Sequence, residues 1–238
     1  MVTRWKSFGA SVRGPGHYRA SMPNQDSFII KGGAWGSAIV ASDGVGSRPV
    51  SHYGSHTACR AVVAAARDWR EMNDNAEKLV EQIHDNWLSG VKPFSPADCA
   101  ATCLFAIRPT EGQIVVGALG DGLAGILKTD GSFFELIDDK SENFSNQTTA
   151  LSERTTFRHW KTSLIAQEEC AAILLCTDGV ADDLLPDKRE GFVRHICQQA
   201  QKTSLVTAKR NLRKMLEKWP VPKHSDDKTL VVFYKCQE

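Results

Sequence analysis

The sequence predicts an α+β protein in which helices lie outside packed antiparallel β-sheets. Three observations carry this. Short apolar, β-branched runs recur along the chain, helical stretches with apolar residues every three or four positions lie among them, and no regular strand-helix alternation is present. A doubly wound parallel sheet needs that alternation, so it is disfavoured.

The expected strands are Ser27–Lys31, Trp35–Ser42, Thr102–Arg108, Gln113–Leu119, Leu123–Lys128, Ala171–Cys176 and Thr229–Tyr234. The tight connection between Gln113–Leu119 and Leu123–Lys128 points to antiparallel pairing of these two. Helices are expected at His52–Arg70, Ala76–Ser89, Arg189–Lys202 and Ser204–Trp219. The polar stretch Asp138–Thr149 reads as a mobile surface loop, a candidate lid. At 238 residues, without repeats or low-complexity tracts, residues 1–238 are expected to form one domain.

Composition excludes several classes. Lysine plus arginine (29) nearly cancels aspartate plus glutamate (28), so no global field favours nucleic acid or an anionic membrane surface. The seven cysteines are odd in number and include no CxxC pair, which argues against a disulfide framework or a zinc knuckle. They read as small buried hydrophobes of a reducing compartment. No apolar run approaches the ~18 residues of a membrane span, and the N-terminus lacks a signal-peptide core. A soluble, cytoplasmic protein is expected. His52 and His56 have chelating spacing but lack the glutamate of a zinc protease, so a helix-surface role is favoured. Neither a GxSxG elbow nor a P-loop is present.

Three apolar runs end in Asp-Gly: at Asp43-Gly44, Asp121-Gly122 and Asp178-Gly179. A fourth, TLVVFY, is preceded by Asp226 and Asp227. A carboxylate at a strand end is held rigidly at a sheet rim, and a following glycine lets backbone and water approach a cation. Hard divalent cations take oxygen ligands, and converging carboxylates would repel one another without one. Asp-Gly is equally a hairpin signal, and for Asp121, bracketed by Leu119 and Leu123, the turn reading is good. Asp43 and Asp178 resist it, because each leads onward rather than into a returning strand.

In order, GASVRGPGHYRASMPNQDSF (Gly9–Phe28), VASDGVGSRPVSHYGSHTA (Val40–Ala58), AATCLFAI (Ala100–Ile107), ALGDGLAGIL (Ala118–Leu127), LLCTDGVADDL (Leu174–Leu184) and SDDKTLVVF (Ser225–Phe233) resemble the type 2C metal-dependent protein phosphatases, particularly their divergent bacterial branch. The resemblance implies a four-layer αββα sandwich with a two-metal centre at one edge. It implies Mn2+ or Mg2+ as cofactor, two ions with a weaker third in bacterial members. The activity implied is hydrolysis of phosphoserine and phosphothreonine on proteins by water activated between the ions, with a phosphorylated protein as partner and a serine/threonine kinase beside it. Asp43 then matches the bridging ligand, Gly44 a carbonyl ligand, Asp178 the second carboxylate and Asp226 the third, with Asp227 on the family's asparagine. Asp26 matches the acidic residue near the second metal, and Asp121 the aspartate of the third.

Four departures qualify the match, the mildest being Gly122 where many members have serine, a change not expected to remove a metal ligand. Ser21 stands where the family has a phosphate-gripping arginine, leaving His17 or Arg19 to substitute, His17 preferred. Ser47 replaces a glycine and is followed by Arg48, either a second phosphate-binding group or a solvated loop charge. Val45 occupies the place of a histidine that serves some members as general acid, so the proton donor is unassigned. Two rivals remain: a phosphatase-fold binding module that has lost activity, and a metal-dependent hydrolase of small phosphate esters.

Overall fold

The computed structural model describes residues 4–72, 74–137, 149–222 and 224–236; most of the expected lid loop, residues 138–148, lies outside them. The elements run β1 (Arg4–Val12), α1 (Pro15–Arg19), β2 (Ser27–Gly33), β3 (Gly36–Ser42), α2 (Ser51–Ala66), α3 (Ala76–Gly90), β4 (Cys103–Pro109), β5 (Gln113–Leu119), β6 (Leu123–Lys128) and β7 (Phe133–Ile137). They continue with β8 (Lys161–Ala166), β9 (Cys170–Cys176), α4 (Asp178–Ala181), α5 (Pro186–Gln201), α6 (Leu205–Glu217) and β10 (Lys228–Cys236).

Two five-stranded sheets result, ordered β1-β10-β9-β6-β7 and β2-β3-β4-β5-β8, with every pairing antiparallel. The central strands are apolar on both faces, and their period-2 alternation assigns each side chain to a layer. On β4, Leu104 and Ala106 join the core between the sheets, while Cys103, Phe105 and Ile107 face α2 and α3. On β9, Ile173 and Leu175 point inward, while Ala172, Leu174 and Cys176 meet α5 and α6. The expected α+β class with helices outside two antiparallel sheets is what forms.

One expected pairing does not. β5 and β6 belong to different sheets: β5 pairs with β4 and β8, β6 with β7 and β9. Gly120, with φ of +100°, lets Gly120-Asp121-Gly122 carry the chain from one sheet to the other rather than fold it into a hairpin. A Cβ at Gly122 would lie 2.7 Å from the Cys176 carbonyl oxygen, so the crossing is also tight.

All seven cysteines are free and buried, as expected. His52 and His56 are exposed on α2. Among the described residues no helix is long and apolar enough to cross a membrane.

Candidate active site

Asp43 leaves the end of β3 and is fixed by its own backbone. Its amide donates to Thr102 Oγ1 (2.9 Å), its carbonyl accepts from the Thr102 amide (2.8 Å), and Ser42 Oγ donates to the Thr102 carbonyl (2.6 Å). The Gly44 amide donates to the Gln25 carbonyl at 3.1 Å, and a Cβ at Gly44 would stand 2.6 Å from the Ser51 carbonyl carbon. Only glycine lets α2 begin this close to the strand end.

Asp178 opens α4 directly after β9. A Cβ at Gly179 would meet the Asp227 carbonyl oxygen at 1.8 Å, so Gly179 lets the entrance to β10 press against α4. That contact brings Asp226 beside Asp178. His224 steadies the approach: its Nε2 lies 2.9 Å from the Asp226 carbonyl and its Nδ1 2.9 Å from Asp183 Oδ2, which also accepts from Trp219 Nε1 at 2.7 Å.

Asp43, Asp121, Asp178 and Asp226, with Gly44 and His17, line one cavity of about 180 Å³; Gln25, Val45, Gly46 and Thr102 complete the wall. Four carboxylates distant in sequence thus meet at one sheet edge. Asp26 lies behind them, 6% exposed, with Oδ2 accepting from Thr177 Oγ1 at 2.8 Å. Its Oδ1 is buried without a hydrogen-bond partner, and the neighbouring Asp43 carboxyl offers no donor unless protonated. Arg48 is not part of the cavity wall; it is half-buried, with Nε unsatisfied, on the loop after Gly46. Ser21 adopts a left-handed conformation (φ 55°) and is exposed, away from the wall.

The electrostatics follow from this crowding. Burial pushes the Asp26 carboxyl up to about 7, partly offset by hydrogen bonds from its neighbours. Burial, then the charges of Asp121 and Asp226, push Asp178 up to about 7. Asp43 is held well above the usual carboxylate range by burial, then by Asp26, Asp178 and Asp226. Lys228 brings an ammonium nearby, but gives it to the Asp226 backbone carbonyl (2.9 Å). Uncompensated buried charge of this kind is relieved by protons or by a cation.

The donor set fits a hard divalent ion: carboxylates, a peptide carbonyl at Gly44 and an orphaned carboxylate oxygen on Asp26. Among the described residues no three or more His, Cys, Asp or Glu side chains form a ready-made cage for one ion, so backbone oxygen and water would have to complete any coordination.

Sequence reasoning set Asp227 on the family's asparagine but gave it no role, and it is the residue that organises this corner. Asp227, 1% exposed, accepts from the Gly14 amide (Oδ1, 2.6 Å) and the Gln25 amide (Oδ2, 2.6 Å), tying the N-terminal segment to the entrance of β10. His17 Nδ1 lies 2.8 Å from the same Oδ2, although its N–H is not aligned for a straight hydrogen bond.

Oxygen donors gathered at one edge of a four-layer αββα sandwich define a site suited to hard divalent cations. The chain matches the protein phosphatase 2C family over residues 13–217 and belongs to that family. Asp226 falls beyond the matched stretch, yet lines the same cavity. Among solved structures the fold is similar to a bacterial serine phosphatase (14% identity, TM-score 0.69, covering 99% of this chain and 100% of that one). It is also similar to the catalytic domain of the serine/threonine phosphatase PstP in complex with two manganese ions (16% identity, TM-score 0.60, 99% and 100%). RsbX in complex with magnesium is a third (17% identity, TM-score 0.63, 97% and 95%). No curated protein matches in a direct sequence comparison.

Proposed function

We propose that the chain is a metal-dependent phosphatase that removes phosphate from phosphoserine and phosphothreonine on proteins, acting as one catalytic domain. The observation that carries this is the meeting of Asp43, Asp121, Asp178 and Asp226 on one small cavity. In this reading Asp43, the Gly44 carbonyl, Asp178 and Asp226 hold two divalent ions. Asp26, behind the wall, would help hold one ion through water, and Asp121 would serve a weaker third. Mn2+ or Mg2+ is the expected metal, in line with the ions named for PstP and RsbX. When bound, such ions acidify an attacking water and neutralise charge on the phosphoryl oxygens.

The protein's own share is positioning. The Asp43–Thr102 backbone lock and the Gly179–Asp227 contact fix the carboxylates before substrate arrives. His17 in the wall is the proposed phosphate-side group. Arg48 is a second, supported by its unsatisfied buried Nε beside cavity residues Val45 and Gly46.

Cavity size favours protein phosphate esters over nucleotides. Sites that engulf a drug-sized ligand run to about 300–1,000 Å³; about 180 Å³ accommodates a phosphoryl group and little more. The substrate's remainder then lies outside, as on a protein surface, and a serine/threonine kinase supplies the substrate. Seven free, buried cysteines suit the reducing cytoplasm.

The test is phosphate release from phosphoserine peptides and from nucleotides, with Mn2+ and with chelator. Metal-dependent release from peptides, and little from nucleotides, is expected. The reverse preference would favour the small-ester reading, and no release with any divalent ion would leave a binding module.

A further inference from the structure

We propose that His17 is the proton donor to the leaving serine or threonine oxygen, held for that task by Asp227. This rests on the phosphatase reading and assigns the step that Val45 leaves without a donor.

His17 shares the cavity wall with Asp43, Asp178 and Asp226. Among the described residues of that wall it is the one side chain able to carry a proton as a cation; the others are carboxylates, Gln25, Thr102, Val45 and glycines. Carboxylates engaged with divalent ions are poor acids, and amide and hydroxyl groups do not titrate in the working range.

Its position is built rather than incidental. The Gly16 amide donates to the Ser225 carbonyl at 2.8 Å, and Cβ atoms at Gly14 and Gly16 would stand 2.3 Å and 2.8 Å from the backbone of Asp226 and Ser225. The short α1 turn is therefore seated directly on the chain that carries Asp226. Asp227 adds the orienting charge: buried, bonded to two backbone amides, and 2.8 Å from His17 Nδ1. The Asp227 carboxylate, although out of line with the ring's N–H, faces Nδ1 with its charge and favours the proton there, which leaves Nε2 as the atom that exchanges a proton.

The step balances. A water oxygen bonds to phosphorus while the bond from phosphorus to serine Oγ breaks, its electron pair going to Oγ. The Nε2 proton of His17 passes to Oγ, giving a neutral hydroxyl. The proton lost by the attacking water restores His17 through solvent, and phosphate leaves.

Leaving-group dependence tests this. An alkoxide needs a proton; p-nitrophenolate leaves without one. In His17→Gln and His17→Ala, kcat on a phosphoserine peptide is expected to fall about 100-fold or more, within the range for general acids, while kcat on p-nitrophenyl phosphate falls about tenfold at most. Mn2+ affinity by calorimetry should match the wild type in at least one variant, showing that the site is intact. In the wild type, 15N resonances of His17 should place the neutral ring's proton on Nδ1. Equal kcat losses on both substrates, or a proton on Nε2, overturn the proton-donor role and leave the phosphatase reading standing. Wild-type protein that hydrolyses neither substrate with any divalent ion overturns both.

Discussion

Thr177 joins two structures at the base of the cavity. Its hydroxyl donates to Asp26 Oδ2 (2.8 Å) and accepts the Thr229 amide (3.1 Å) from β10. Replacing it by valine removes the donor to Asp26 Oδ2, which raises the Asp26 pKa further and disfavours the charged form. Groups that orient metal ligands typically change affinity by about 10–100-fold. Thr177→Val is expected to weaken Mn2+ binding by that amount, read by calorimetry; unchanged affinity would separate Asp26 from the metal. Asp226 and Asp227 divide labour in a way an Asp-Asp doublet conceals. The sequence offered the carboxylates but not their destinations: Asp227 reaches Gly14, 213 positions away. Asp43 and Asp178 were legible because their surroundings were wrong for hairpins. Arg48 stands five positions after Asp43, and that spacing alone does not say where its guanidinium turns; the fold leaves its Nε buried and unsatisfied outside the cavity wall.

The elements that position the site depend on close backbone approach. A Cβ at Gly54, on α2, would lie 1.7 Å from the Cys99 carbonyl oxygen, just ahead of the Ala100–Thr102 segment that locks Asp43. Gly54→Ala should therefore destabilise the fold by about 1–3 kcal/mol despite alanine's better helix propensity. Urea unfolding measures this, and a neutral or stabilising result would contradict the packing. Legibility also varied by element. β3, β4, β5, β9 and β10 show as apolar runs because they are buried by layers on both faces. β1, β7 and β8 escaped the sequence reading, and all three are edge strands. Edge strands keep a polar side, as at exposed Lys161, and their apolar runs break up.

At the scale of the whole molecule, the converging carboxylates make stability depend on pH and metal together. Asp26 and Asp178 move from 3.8 to about 7 on folding without a cation, so the folded chain binds more protons than the unfolded one between those values. Stability of the metal-free protein is expected to fall as pH rises from about 4 through about 7, with Asp43 adding to the fall in the same direction. Excess Mn2+ should restore it most at the upper end, where no proton competes for the carboxylates. Thermal unfolding across that range checks this; metal-free stability that rises steadily with pH would contradict it. The central claim is that Asp43 joins ions to the site, and calorimetric titration of Mn2+ into wild type and Asp43→Asn tests it most directly. The account predicts two bound ions in the wild type and loss of high-affinity binding in the variant, whose metal-free form melts higher because a repelled buried charge is gone. Equal Mn2+ binding by both proteins would contradict it.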